Sequence, residues 1–171
     1  MDKPDNTSKN LILNLETLGN SYDSIILQAG MCYFNESSIL STMCININPT
    51  DQKSYGSTSD INILTWWKQP ENINIYKKFF ENSHNVEDAL DFIDWFIQDE
   101  VNVFCQCAFD YPILKSLYDR AYRDCPIKPL LLKDIPTLLS YPISAYMNYD
   151  KSFNTLDNCK NQVKILQSLN V

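Results

Sequence analysis

Aliphatic and β-branched residues crowd positions 11–34, which read LILNLETLGNSYDSIILQAGMCYF. The pattern predicts two strands joined by a turn at Gly19-Asn20, both apolar enough to lie centrally in a sheet. Inside the first strand the alternation sets a polar pair, Asn14 and Glu16. Residues i and i+2 of a strand face the same side, so these two share one face while Leu13 and Leu15 pack on the other. Polar groups placed there need water, a partner or a metal ion.

Further strands are expected over residues 31–34 and 41–47, with a turn at 35–38 and a break at Pro49. Residues 50–59 read as a polar loop without a motif. From Ile61 a helix holds Trp66 and Trp67, stops at Pro70 and resumes at Glu71. Neighbouring residues cannot share a helix face, so one tryptophan is expected in the core and the other at a surface or cleft. Asn85 is a good N-cap for an amphipathic helix carrying Val86, Ala89, Leu90, Ile93, Trp95, Phe96 and Ile97. Its acidic positions, Glu87, Asp91, Asp94 and Asp99, read as a solvated face. A buried strand over 101–107 runs into a helix reaching Tyr122, with Asp110 at the junction, where a carboxylate caps the helix or coordinates a metal. A short strand at 130–134, a turn or helix start at 135–140, a Pro/Tyr-containing loop to 150 and a helix over 154–169 complete the chain. Strands first, then helices alternating with buried strands, predict an α/β domain with a central mixed sheet flanked by helices.

Length and composition narrow this picture. The 171 residues suit one domain, taken as 11–171 behind a flexible polar leader at 1–10, and 44% hydrophobic content supports a core. No apolar run reaches the ~20 residues that span a membrane, and no signal peptide is evident. Six cysteines without scaffold spacing read as buried free thiols in a reducing cytoplasm, a host cytoplasm if the chain is viral. Cys105 and Cys107 alone are a weak metal signal, and His84, the single histidine, reads as a surface residue. A net charge of −7 argues against a broad, sequence-independent grip on nucleic acid and reads mainly as solubility. The richness in Asn, Ile, Lys and Tyr suggests an AT-rich coding sequence, as in phages, other viruses or protists.

Five stretches carry a family resemblance: Asn14-Leu15-Glu16-Thr17-Leu18-Gly19 with Ile25-Ile26-Leu27-Gln28-Ala29-Gly30; Thr65-Trp66-Trp67; Ala108-Phe109-Asp110-Tyr111-Pro112-Ile113-Leu114; Asp134-Ile135-Pro136-Thr137-Leu138; and Asn154-Thr155-Leu156-Asp157-Asn158-Cys159-Lys160. In this order they resemble the DEDDh group of 3'-5' exonucleases, of the DnaQ-like, ribonuclease H fold, over residues 11–169. The resemblance implies four carboxylates holding two Mg²⁺ or Mn²⁺ ions about 4 Å apart and a histidine that deprotonates the attacking water. Carried over residue by residue, Glu16 and Asp110 match. Asn14 stands for an aspartate, Phe153 for the histidine and Asn158 for the last aspartate. Thr17, Leu18, Trp66 and Trp67 are the positions offered to substrate.

Hard divalent cations select anionic oxygens, so two amides in place of two carboxylates should leave Mg²⁺ or Mn²⁺ binding weak or absent. Losing a positioned general base costs a further ~10²- to 10⁴-fold. The expectation is therefore an exonuclease-fold protein whose catalysis is lost, acting by binding a protein partner or a single-stranded nucleic acid 3' end. The alternative is a weakly active 3'-5' exonuclease in which Asp157, adjacent to Asn158 and four residues after Phe153, substitutes. Asn14 and Asn158 read as natural degeneracy rather than engineered changes. A homodimer stays open, because some members of the group dimerise.

Overall fold

In a computed structural model, residues 10–97, 100–139 and 153–169 are described. Strand β1 (Asn10–Thr17) sits at the centre of a five-stranded sheet ordered β3-β2-β1-β4-β5. Strands β2 (Ile26–Phe34) and β3 (Ile39–Asn46) add antiparallel on one side. On the other side β4 (Asn102–Cys105) and β5 (Leu132–Asp134) add in parallel, which makes the sheet mixed. Asn10, assigned to the leader from sequence, already pairs with Phe34 and Asn102.

Alternation along β1 distributes the core over both faces. Leu11, Leu13 and Leu15 face a cluster completed by α4 (Val86–Phe96) and α5 (Asp110–Arg120). Ile12 faces the opposite cluster, which α6 (Ile135–Leu139) and α7 (Thr155–Ser168) close with Ile135, Leu139, Cys159, Val163 and Leu166. Asn14 and Glu16 continue the Ile12 face, as the period of two requires. A third cluster lies past the end of β1. There Leu18, Ile25, Leu27, Trp67 and Phe79 pack beneath α2 (Ile61–Trp67) and α3 (Ile73–Lys78).

Helix α7 reaches the sheet because residue 30 has no side chain. A Cβ on Gly30 would lie 2.5 Å from Thr155 Oγ1 and 2.6 Å from the Thr155 carbonyl carbon. The close approach lets Cys159 Sγ donate to the Gly30 carbonyl at 3.2 Å.

Several sequence expectations are corrected. The β1–β2 connection is no tight Gly19-Asn20 turn. It spans residues 18–25, with Leu18 N–H donating to Ile25 O and the chain reversing where Ser24 N–H donates to Ser21 O. Residues 50–59 are not wholly loop, since α1 (Pro49–Ser54) starts there with Asn48 accepting from the N–H groups of Thr50 and Asp51. Its Gln52 is fully buried, accepts from Ile26 N–H and donates to Ile26 O, so an amide continues the sheet edge. The acidic face of α4 is engaged rather than merely solvated, because Arg123 donates to Glu87, Asp91 and Asp94 at 3.3, 2.7 and 2.5 Å. Asp99 and the loop at 140–152 lie outside the described residues. His84 is half-buried, stacks edge-on against Phe92 and pairs its backbone with Asn46 and Asn48.

Candidate active site

The end of β1, the start of α5 and the first turn of α7 converge on one spot. Asp110 is fully buried, and its two oxygens accept from Leu15 N–H at 3.0 Å and Gln106 N–H at 2.9 Å. Ladder pairing between β1 and β4 ends at Ile12 and Phe104. Beyond that point the carboxylate bridges the two separating chains and satisfies backbone donors that would otherwise be orphaned. Asp110 thus has structural work independent of any chemistry.

Glu16 lies on the same β1 face as Asn14, opposite Gln28 of β2. Burial pushes its carboxyl up to about 7. Burial raises Asp110 to about 7 as well, the two backbone N–H bonds partly oppose the shift, and the neighbouring charge of Glu16 adds to it. Burial is the main cause for both acids.

Where the resemblance implies two further carboxylates, two amides meet. Asn158 Nδ2 donates to Asn14 Oδ1 at 3.3 Å, joining residues 144 positions apart. Asn14 is buried, at 7% exposed. The first turn of α7 is fixed beside it, because Gln28 Oε1 accepts from both the N–H and the Oγ1–H of Thr155 at 2.9 Å. Asn154 caps the helix by accepting from Leu156 N–H.

Phe153 occupies the position of the expected general base, and it is committed to aromatic packing. Its ring lies 5.2 Å from that of Trp66 and 5.3 Å from that of Trp67, edge-on to both. The residue holds a φ of 44°, a left-handed conformation that costs a non-glycine residue ~1 kcal/mol or more.

Of the positions offered to substrate, Leu18 and Trp67 are each 2% exposed and pack the third cluster instead of lining a surface. Thr17 is also buried, with its hydroxyl donating to Gly19 O at 2.6 Å. Trp66 is 43% exposed, so the two tryptophans divide between core and surface as expected. Asp157 is exposed, and its charge acts on the Cys44 thiol on the β3 side, one residue round the helix from the Asn14 contact. Among the described residues, no group of three or more His, Cys, Asp or Glu side chains could hold a metal ion. None of their helices is long and apolar enough to cross a membrane.

Comparison with known proteins places the fold. Residues 9–169 match the Rv2179c-like 3'-5' exoribonuclease domain. The chain belongs to that family. No curated protein matches it in sequence. Among solved structures, E. coli exonuclease I in complex with a dA16 oligonucleotide is similar with a TM-score of 0.68 at 10% identity, over 92% of this chain and 39% of that one. The metal-free form of the E. coli exonuclease I–ssDNA complex is similar with a TM-score of 0.63 at 11% identity, over 92% and 38%. Cell-death related nuclease 4 (CRN-4) has a TM-score of 0.54 at 12% identity, over 94% and 62%. This family member therefore has the DnaQ-like, ribonuclease H-type exonuclease fold, and it spans less than two thirds of each of these nucleases.

Proposed function

We propose that this member of the exoribonuclease family no longer cuts and instead holds the 3' end of a single-stranded nucleic acid. The observation that carries this reading is the Asn14–Asn158 hydrogen bond. Two carboxylates at that separation would repel and need a cation between them. Two amides satisfy each other and need none.

The remaining donors do not fit a pair of divalent ions. Both oxygens of Asp110 already accept backbone N–H groups, and Asn14 Oδ1 accepts from Asn158. Hard cations bind poorly to such a depleted set, and Phe153 has no atom that can take a proton from water. What the cleft retains suits binding: Trp66 presents an exposed ring backed by Phe153, and a base stacked on such a platform contributes ~1–3 kcal/mol. Lys78 borders a concavity with Phe153 and Asn154, and Lys68 and Lys77 lie on the same segment, which also carries Glu71 and Glu81. That exonuclease I has a metal-free complex with single-stranded DNA supports separating binding from cutting in this fold.

The test compares the native chain with a variant carrying Asn14→Asp, Phe153→His and Asn158→Asp, using labelled single-stranded RNA and DNA oligonucleotides with Mn²⁺. The native chain is expected to bind at low salt and release no nucleotide, Trp66→Ala to weaken binding about tenfold, and the restored variant to gain at least ~10²-fold in nucleotide release. Metal-dependent trimming by the native chain would refute the loss of catalysis. Absence of oligonucleotide binding would refute the retained grip.

A further inference from the structure

A second concavity lies along the outer face of α5, away from the amide pair. It is an open cleft of about 630 Å³ bordered by Tyr22, Asp23, Tyr111, Lys115, Ser116 and Arg120, a volume within the ~300–1,000 Å³ of small-molecule sites.

Arg120 is its central feature. The half-buried guanidinium is anchored by neutral acceptors, with Nη1 donating to Ser116 Oγ at 2.6 Å and Nη2 to Ser57 Oγ at 2.9 Å. Its Nε is buried without a hydrogen-bond partner. Among the described residues no carboxylate lies within ion-pair distance of it, although Asp23 and Asp119 border the same cleft. Arg123, three residues on, takes three carboxylates. Asp23 and Asp119 favour the Arg120 charge through space without pairing to it, so among the described residues the anchored guanidinium has no direct ion-pair partner in a chain of charge −7. Burial disfavours its charge, and an incoming anion would offset that cost.

The rest of the rim is equally built. Gly56, with a φ of 78°, turns the chain where a Cβ would lie 3.8 Å from the Arg120 stem. Tyr22 offers a 69% exposed ring at the mouth and Tyr111 a half-buried one. Asp23 accepts from Thr58 Oγ1 at 3.1 Å; a hydrogen bond from Ser21 foremost, then this one, with a smaller contribution from the Arg120 charge, keeps its carboxyl below the usual range. A guanidinium without a direct ion-pair partner, two aromatic rings, the Asp23 carboxylate and an Asp119 carboxylate already paired with Lys115 form the complementary set for a nucleotide.

We infer that the α5 cleft binds a phosphate-bearing nucleotide, with the phosphate on Arg120, the base against Tyr22 or Tyr111, and a ribose hydroxyl or exocyclic amine on Asp23. Its lining includes none of Asn14, Trp66, Phe153 and Asn158, and the inference stands whether or not catalysis is lost. Its occupant is either a free mononucleotide or the phosphorylated end of a strand.

Calorimetric titration of the full chain with 5'-AMP, adenosine, inorganic phosphate and the 5'-phosphorylated dinucleotide pApA decides the matter. AMP is expected to bind saturably and more tightly than adenosine or phosphate alone. Arg120→Gln should weaken it at least about tenfold, and Tyr22→Ala about fivefold with an unchanged melting temperature. Trp66→Ala should leave AMP binding intact. Tighter binding of pApA than AMP would assign the site to a strand end, and equal or weaker binding to the mononucleotide. No saturable AMP binding, binding indifferent to both Arg120→Gln and Tyr22→Ala, or binding lost in Trp66→Ala would each overturn the inference. Because Tyr22 is exposed, its variant keeps the test decisive if Arg120→Gln fails to fold.

Discussion

Glu16 keeps the acid that the family pattern requires but not the company. With amides at positions 14 and 158, its half-buried carboxyl is pushed up to about 7 by burial, and the carboxyl of Asp110 is raised to about 7 as well. A folded-state value raised from 4.5 to about 7 means that the native state holds the proton more tightly than the unfolded chain. The associated stability is complete below the unfolded value and is lost as pH rises through 7. Glu16→Gln, neutral at every pH, should therefore match the native chain near pH 4 and exceed it at pH 8, by on the order of 2 kcal/mol. Urea unfolding at the two pH values measures the difference, and equal stability at pH 8 would contradict the burial argument. At this scale the sequence was informative about identity but not about partnership. The sequence motifs single out Asn14, Phe153 and Asn158. That the two amides meet, and that Phe153 fills a gap between two tryptophans, depends on how α7 lies on the sheet, and no local pattern encodes that.

Among the elements, α7 determines whether the site exists at all, and Gly30 determines where α7 can lie. Gly30→Ala would drive a methyl into both backbone and side chain at Thr155. The helix would have to lift, at a cost toward the upper end of the ~1–3 kcal/mol usual for overpacking. Thermal or urea unfolding checks the size, and weakened oligonucleotide binding is expected with it; a neutral outcome would mean that α7 docks more loosely than its contacts suggest. The long periodic elements were legible because their signals are redundant, as in α4, where an N-cap, an apolar stripe and acidic residues agree. Helix α1 was not. At six residues it is too short to carry a period, and the Asn48-Pro49 start that marks it was outweighed by surrounding serines and charges. The β1–β2 turn misled for the opposite reason: Gly19-Asn20 resembles a hairpin dipeptide, but Leu18 and Ile25 are core residues that hold the connection open.

For the whole molecule, charge and chemistry point in different directions. An acidic chain that grips nucleic acid must rely on stacking and on a few placed cations, because its general field repels phosphate. With Lys68, Lys77 and Lys78 as the nearby cations on this segment, the logarithmic salt dependence of oligonucleotide affinity should be no steeper than about −2, from ~0.7 counterions released per contact. Fluorescence titration between low and moderate salt measures it, and a much steeper slope would place the strand on some other surface. The α5 cleft obeys the same economy, with one guanidinium held by hydroxyls in place of a broad basic patch.

The order of elements has a further consequence during synthesis. All five strands and α6 precede α7 in the chain, yet Cys159, Val163 and Leu166 of α7 help to cover Ile12, Cys32, Phe34 and Phe104 on one face of the sheet. At ~5–20 residues per second on the ribosome, that face waits on the order of seconds, bare and apolar, after the last strand has emerged. Until α7 arrives, that face of the sheet stays incompletely covered.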